Sequence, residues 1–214
     1  MRVEVPVEHQ ANPNGARPVA QPVTMVHGFA MVDLSSLADN RAISSAAALG
    51  TGAMNVWGNS LPAEDLPGPG TTLSRELVPF QLVAASAAGD NVRCSGQYVS
   101  VPCGRYDWVH LLAAAERRTE DTVAMHFVSG AVDFEPLRVS DFWTGAPAWF
   151  GEAQALHTPF MHYRRHVQPQ MPAQLWSQRV AVTRRDDLIG LRLPHNVAIH
   201  VFALTLQTVH EEHR

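Results

Sequence analysis

The sequence predicts an all-β fold, an antiparallel β-sandwich, from three observations. Short runs of period-2 character recur along the chain, turn-forming Gly, Pro, Asp and Asn separate them, and a spacing of roughly 8–12 residues is the signature of a sandwich or barrel. The runs are 23–33, 77–84, 96–101, 107–114, 121–128, 131–139, 153–163, 174–183, 187–193 and 197–207. At 214 residues the chain can bury one good core, so a single sandwich domain over 23–214 is expected.

Taken in order, residues 1–22 carry Pro6, Pro13, Pro18 and Pro22 and read as an extended N-terminal arm. The stretch from Leu49 to Pro79 has turn formers throughout and no sustained period; a loop this long inside a compact domain is functional or disordered, and Trp57, Leu61 and Leu66 argue against disorder. Residues 107–115 place Trp108, Leu111, Leu112 and Ala115 at helical spacing, so periodicity alone leaves that run ambiguous. In 121–128, Val123, Met125 and Phe127 share one face and Ala124, His126 and Val128 the other, and Ser129-Gly130 supplies a tight hairpin into the next run. The last run sets Ile199, Val201 and Ala203 against Phe202, Leu204 and Leu206; being apolar on both faces, it should be a central strand covered on both sides.

Charge excludes some partners. The net charge is -4 and the 16 cationic residues, all arginine, are scattered, which leaves no field for a phosphate backbone and argues against nucleic acid. No run approaches the ~20 apolar residues of a membrane span, and Met1 to Val23 holds no apolar stretch of signal-peptide length, so no membrane partner and a cytoplasmic location are expected. Cys94 and Cys103 flank an extended segment; at ~3.3 Å per residue they lie too far apart for a disulfide, and free thiols suit a reducing compartment.

The string GDNVRCSGQYVSVPCGRYDWVHLLAAA (89–115), then VAMHFVSG, SDFW at 140–143, LWSQRVAV and LIGLRLPHNVAIHVFALTL resembles the galactose-binding-like, carbohydrate-binding-module-like sandwiches found beside bacterial glycoside hydrolases. The resemblance implies a jelly roll, turns 107–115 toward strand, and gives Asn91 and Gln97 an architectural role. It departs at 50–75, where the loop is this chain's own. Such modules often carry a structural calcium, which needs six to eight oxygen ligands, and here Asp33, Asp39 and Asn40 are the only candidates, with a solvated Asx turn as the plainer reading.

Familiar catalytic strings are absent: no Walker loop, GxSxG elbow, HExxH or dinucleotide fingerprint occurs. Two candidate acid/base groups remain. His162 stands in the cluster His162, Tyr163, Arg164, Arg165, His166; it is either part of an exposed polar edge or, in a pocket, a general acid or base near neutral pH. Glu64 is either a turn or capping acid or, among Trp57, Leu61 and Leu66, a carboxylate of raised pKa. Trp57, Trp143 and Trp149, with Tyr163 and His166, are the candidate ligand-binding residues, whereas Trp108 and Trp176 read as core and His110, His126 and His200 as satisfied core or edge histidines.

The expected partner is a small molecule, with a homo-oligomer possible. The chain is read as a cyclase or isomerase that requires no cofactor and acts on a largely apolar biosynthetic intermediate; the alternative is a non-catalytic carbohydrate-binding module. In both, the site is expected where the loop of Trp57 and Glu64 meets the segment around Trp143 and His162.

Overall fold

The computed structural model describes residues 20–209 apart from Thr144 and Ala146, so most of the expected N-terminal arm lies outside the described residues. The first half of the chain contributes β1 (Val23–Val26), β2 (Phe29–Val32), β3 (Ile43–Ser44), β4 (Leu61–Pro62), β5 (Thr72–Arg75) and β6 (Val78–Gln81). Then come β7 (Val92–Arg93), β8 (Tyr98–Gly104), β9 (Tyr106–Ala115), β10 (Thr119–Phe127) and β11 (Val132–Val139). The remainder forms β12 (Ala153–Thr158), β13 (Met161–His162), β14 (Val167–Gln168), β15 (Ala173–Ala181), β16 (Leu188–Arg192) and β17 (Ile199–Thr208).

Two antiparallel sheets face each other. The larger runs β1-β2-β17-β9-β15-β12 with β7 also paired to β17, and the smaller runs β11-β10-β16-β8. Between them lies one core, in which Val109, Leu111, Ala113, Val201 and Leu204 of the large sheet meet Val99, Val123, Met125, Phe127 and Leu191 of the small one. A second core sits on the outer face of the large sheet, where Leu112, Ala114, Leu175 and Phe202 pack against Met54, Leu61, Phe80 and Met161. The 43–82 segment is therefore a third layer rather than an end loop. It has 3-10 turns at Ala46–Thr51 and Ala63–Asp65, the parallel pair β3-β4 and the hairpin β5-β6.

β17 is central, as its apolar faces require, but the faces differ from the strict alternation expected. A register shift between Val201 and Ala203 places Ile199, Val201, Leu204 and Leu206 in the inner core and Phe202 with Ala203 in the outer one. A bulge adds one residue and so reverses the alternation beyond it. Residues 107–115 are strand, not helix: Ala113, Ala114 and Ala115 are fully buried between two layers, where small side chains let the layers approach. The run 23–33 is two strands, turned at His27 and Gly28 with φ of 42° and 83°, and the run 153–163 is likewise broken, between Thr158 and Met161. The Ser129-Gly130 hairpin forms as read, with His126 opposite Val132 and Gly130 at φ 84°.

Candidate functional site

Backbone bridges assemble the site from distant segments. After β9 ends at Ala115, residues 141–143 run alongside it: Ala115 bridges Asp141, and the Phe142 N–H donates to the Ala115 carbonyl at 2.9 Å. The far side is held by β15, through a Trp143–Ala173 bridge, a Gln174 N–H to the Phe142 carbonyl at 2.8 Å, and the Trp176 indole N–H to the Asp141 carbonyl at 2.8 Å. A third bridge joins Ser60 to His162, with both N–H groups donating at 2.9 Å. Because extended residues alternate in direction, Ser60 and His162 turn together toward Ser44, while their neighbours Asn59 and Tyr163 share the other side with Leu61 and Met161, toward the large sheet.

Those neighbours line a cavity of about 320 Å³ with Trp57, Phe142, Trp143 and Met171 as apolar walls and Glu116, Arg117 and Asp141 as charged ones. Asp141 is half-buried, and loss of solvation raises its carboxyl pKa above the usual value, opposed by a hydrogen bond from the Trp143 N–H at 3.1 Å and by the charge of Arg117. Glu116 receives the Arg93 guanidinium and His200 Nε2, each at 3.3 Å. The amide oxygen of Asn59, a residue 2 % exposed, has no hydrogen-bond donor among the described residues. Arg117 holds φ at 148°, a backbone region that non-glycine residues avoid and that is tolerated chiefly at functional positions.

Behind this wall is a buried polar chain. Ser60 Oγ lies 2.7 Å from Ser44 Oγ, which lies 3.0 Å from His162 Nδ1, and His162 is fully buried, its Nε2 without a hydrogen-bond partner among the described residues. His162 is thus no exposed edge, but it does not line the cavity either. Glu64 is exposed and caps the Ala46–Thr51 turn, accepting the Ala46 N–H at 2.8 Å. That bond holds its carboxyl below the usual range, the reverse of the raised value read from its apolar neighbours. Trp57, Trp143 and Tyr163 meet in the cavity as expected. His166 stacks on Tyr163 at 5.1 Å, and Trp149 sits outside beneath the Arg118 guanidinium at 4.9 Å.

Asp33, Asp39 and Asn40, the expected calcium ligands, each make hydrogen bonds within the protein. Asp33 accepts the Ser35 N–H, Asp39 accepts the Arg93 N–H and the Gln97 amide at 2.8 Å each, and Asn40 exchanges bonds with Asn91 and Ala53. Among the described residues no group of three or more His, Cys, Asp or Glu side chains converges as metal ligands do. Asn91 and Gln97 bond loop backbone, at the Asn40 and Arg93 carbonyls, as read. His110 and His200 are hydrogen-bonded, but His126 Nε2 has no hydrogen-bond partner among the described residues. Trp176 is core at 3 % exposure, whereas Trp108 is only half-buried, under Arg179.

Sequence reasoning missed Asp141, Asn59, Glu116, Arg117 and Met171. The usable signal was Asp141 itself, two residues before Trp143 in SDFW, where a carboxylate beside aromatic residues is the pattern sought at Glu64. Among the described residues no helix is long and apolar enough to cross a membrane. No curated protein matches the chain. The family model described as AziU2-like beta-sandwich domain matches residues 29–210, and the chain belongs to that family.

Proposed function

We propose that this domain binds a small, largely apolar biosynthetic intermediate in the cavity between Trp57, Trp143 and Tyr163, and that it acts there as a cyclase or isomerase requiring no cofactor. The observation that carries the reading is Asp141, a carboxylate of raised pKa on the wall of a cavity that also holds Trp57, Phe142, Trp143 and Tyr163. A general acid or base works best with a pKa near the working pH, and burial moves Asp141 that way. Trp57, Trp143 and Tyr163 fold a flexible ligand into reactive shape, which alone lowers the barrier by restricting its motion. Asn59 offers a hydrogen-bond acceptor that orients the ligand. Ser44, Ser60 and His162 act from behind the wall as positioning residues, and Glu64 fixes the turn ahead of them. At about 320 Å³ the cavity is at the small end of ligand sites, which points to a compact metabolite rather than an oligomer. The free thiols of Cys94 and Cys103 support a cytoplasmic setting.

The test is an assay on small-molecule extracts, followed by mass spectrometry. A cyclisation or isomerisation yields a product of equal mass and changed retention, formed by the parent protein. Asp141→Asn should lower turnover by about 10²–10⁴ with unchanged folding. A compound bound but returned unaltered, together with retention of the protein on immobilised polysaccharide, would support the carbohydrate-binding alternative instead.

A further inference from the structure

We infer that a second ligand site crosses the outer face of the large sheet, and that it takes an oxyanion, a carboxylate or phosphate, carried on a flat apolar body. The groove there measures about 550 Å³ and shares no lining residue with the cavity of Asp141. Its floor follows from strand register. Phe29 pairs with Gln207, Gln207 with Trp108, and His110 with Arg179, and side chains of cross-strand partners share a face. The walls are the tip of the β5-β6 hairpin on one side and the turn at Phe150 on the other.

Two arginines in this groove have no ionic partner among the described residues, and each is set up for an anion. Arg75 has an Nε–H that is buried and meets no acceptor among the described residues. Burying one N–H of a guanidinium without an acceptor is costly, and an oxyanion brought to the same group returns the lost interaction. Arg179 lies 4.6 Å over the Trp108 ring. Stacked on its face, a guanidinium keeps its N–H edge for an acceptor in plane.

The acidic groups nearby do not satisfy these cations. Glu152 accepts the Ser140 and Phe150 N–H groups at 2.8 and 2.9 Å, and Glu76 stands exposed at the hairpin tip. His110 adds no charge at neutral pH, because burial lowers its pKa, and its Nε2 lies 3.0 Å from Gln207 Oε1.

The apolar part of the ligand is indicated by Trp108, Phe29 and Phe150, and by the lip of the groove. Glu76 and Leu77 at the hairpin tip hold φ at 50° and 69°, and Leu77 is 90 % exposed. Positive φ at both central residues is the ordinary geometry of a two-residue hairpin turn, and here it holds a large aliphatic side chain in water at the lip of the groove.

The test is calorimetric titration of the full chain with 2-naphthoate, 2-naphthyl phosphate and the neutral 2-naphthylmethanol. At low salt both anions should bind at least about tenfold more tightly than the alcohol, the better of the two naming the oxyanion. Arg179→Gln and Arg75→Gln should each weaken the anions about tenfold and leave the alcohol unchanged. Arg179 is exposed, so its variant tests the site even if Arg75→Gln folds poorly. Arg184→Gln, which removes a surface arginine paired with Asp133 and lines no part of this groove, should leave anion affinity unchanged. The inference fails if no anion binds, if the alcohol binds as tightly as the anions, or if Arg179→Gln matches the parent.

Discussion

Replacing Gly52 with alanine tests whether the polar chain behind the cavity is a rigid support. Gly52 has φ -95°, which any residue adopts, so the substitution costs nothing in backbone strain and acts through packing alone. A Cβ at this position would stand 2.4 Å from Ser60 Cβ and 2.6 Å from Ser60 Oγ, with Ser44 Cβ at 3.1 Å. Restoring ordinary contact requires Ser60 to retreat by about 1 Å, which overpacking data put at about 1–3 kcal/mol. The same movement stretches the 2.7 Å Ser44–Ser60 bond and unsettles His162, and leaving one buried polar group unsatisfied adds about 1–3 kcal/mol. A combined loss of about 2–6 kcal/mol lowers the urea midpoint by about 1–3 M at a slope of about 2 kcal/mol per M. Gly68→Ala is the control, because its nearest atom would be Thr71 Cγ2 at 3.7 Å, and it should change stability by less than about 0.5 kcal/mol. Urea unfolding followed by tryptophan fluorescence compares the two. If Gly52→Ala unfolds with its control, the contact relaxes freely and the chain from Ser44 to His162 does not brace the wall that carries Asn59 and Tyr163.

Stability should also fall as pH drops below about 6.5. Burial holds His110 and His126 below the ordinary imidazole pKa of 6.5, so the unfolded chain takes up protons first; the stability they contribute is present above 6.5 and lost as pH falls through their folded values. Urea midpoints measured from pH 8 downward should show this decline, and a double variant with glutamine at both positions should flatten it. In more acidic solution Asp90 and Asp141 act in the opposite sense: burial raises both from 3.8, so the folded form binds protons first and their contribution grows as pH falls. Thiol chemistry separates the cysteines. Cys103 is exposed and should react in the native protein, whereas Cys94, buried and with its pKa pushed up, should react only after unfolding. Two thiols titrated in denaturant without reductant fit the free pair; none would mean a bridge.

The sheets were legible because alternation and turn residues are local properties. Val123, Met125 and Phe127 declare their face within five residues, and Ser129-Gly130 names the turn that follows. What local pattern could not carry was the insertion of one residue in β17. Ile199, Val201 and Leu204 look staggered by strict alternation yet share a core, since the bulge opposite β9 becomes visible only when the partner strand is known. The helical spacing at 107–115 misled for a related reason. A strand buried on both faces loses its alternation, and its alanines, which favour helix in isolation, are needed here for the close approach of two layers.

The site was legible where aromatic residues were concerned and much less so for charge. Trp57, Trp143 and Tyr163 were identified from exposure-prone segments and they do converge, through the Ser60–His162 and Trp143–Ala173 bridges. For a carboxylate, however, neighbours in sequence say little about solvation. Glu64 is flanked by apolar residues but caps a turn in water, so a backbone N–H lowers its pKa; Asp141 sits in an unremarkable turn but is drawn against β9, so desolvation raises its pKa. The deciding interaction for Asp141 is the bridge to Ala115, between residues 26 positions apart, and nothing near either one in sequence announces it. The same logic separates His162 from Asn59. Both lie beside a bridge residue or in it, and the pairing turns His162 toward Ser44 while it turns Asn59 to the side of Leu61 and Met161, where the cavity opens. The chemically conspicuous histidine therefore lies buried behind the wall, and the inconspicuous amide is the group that lines the cavity.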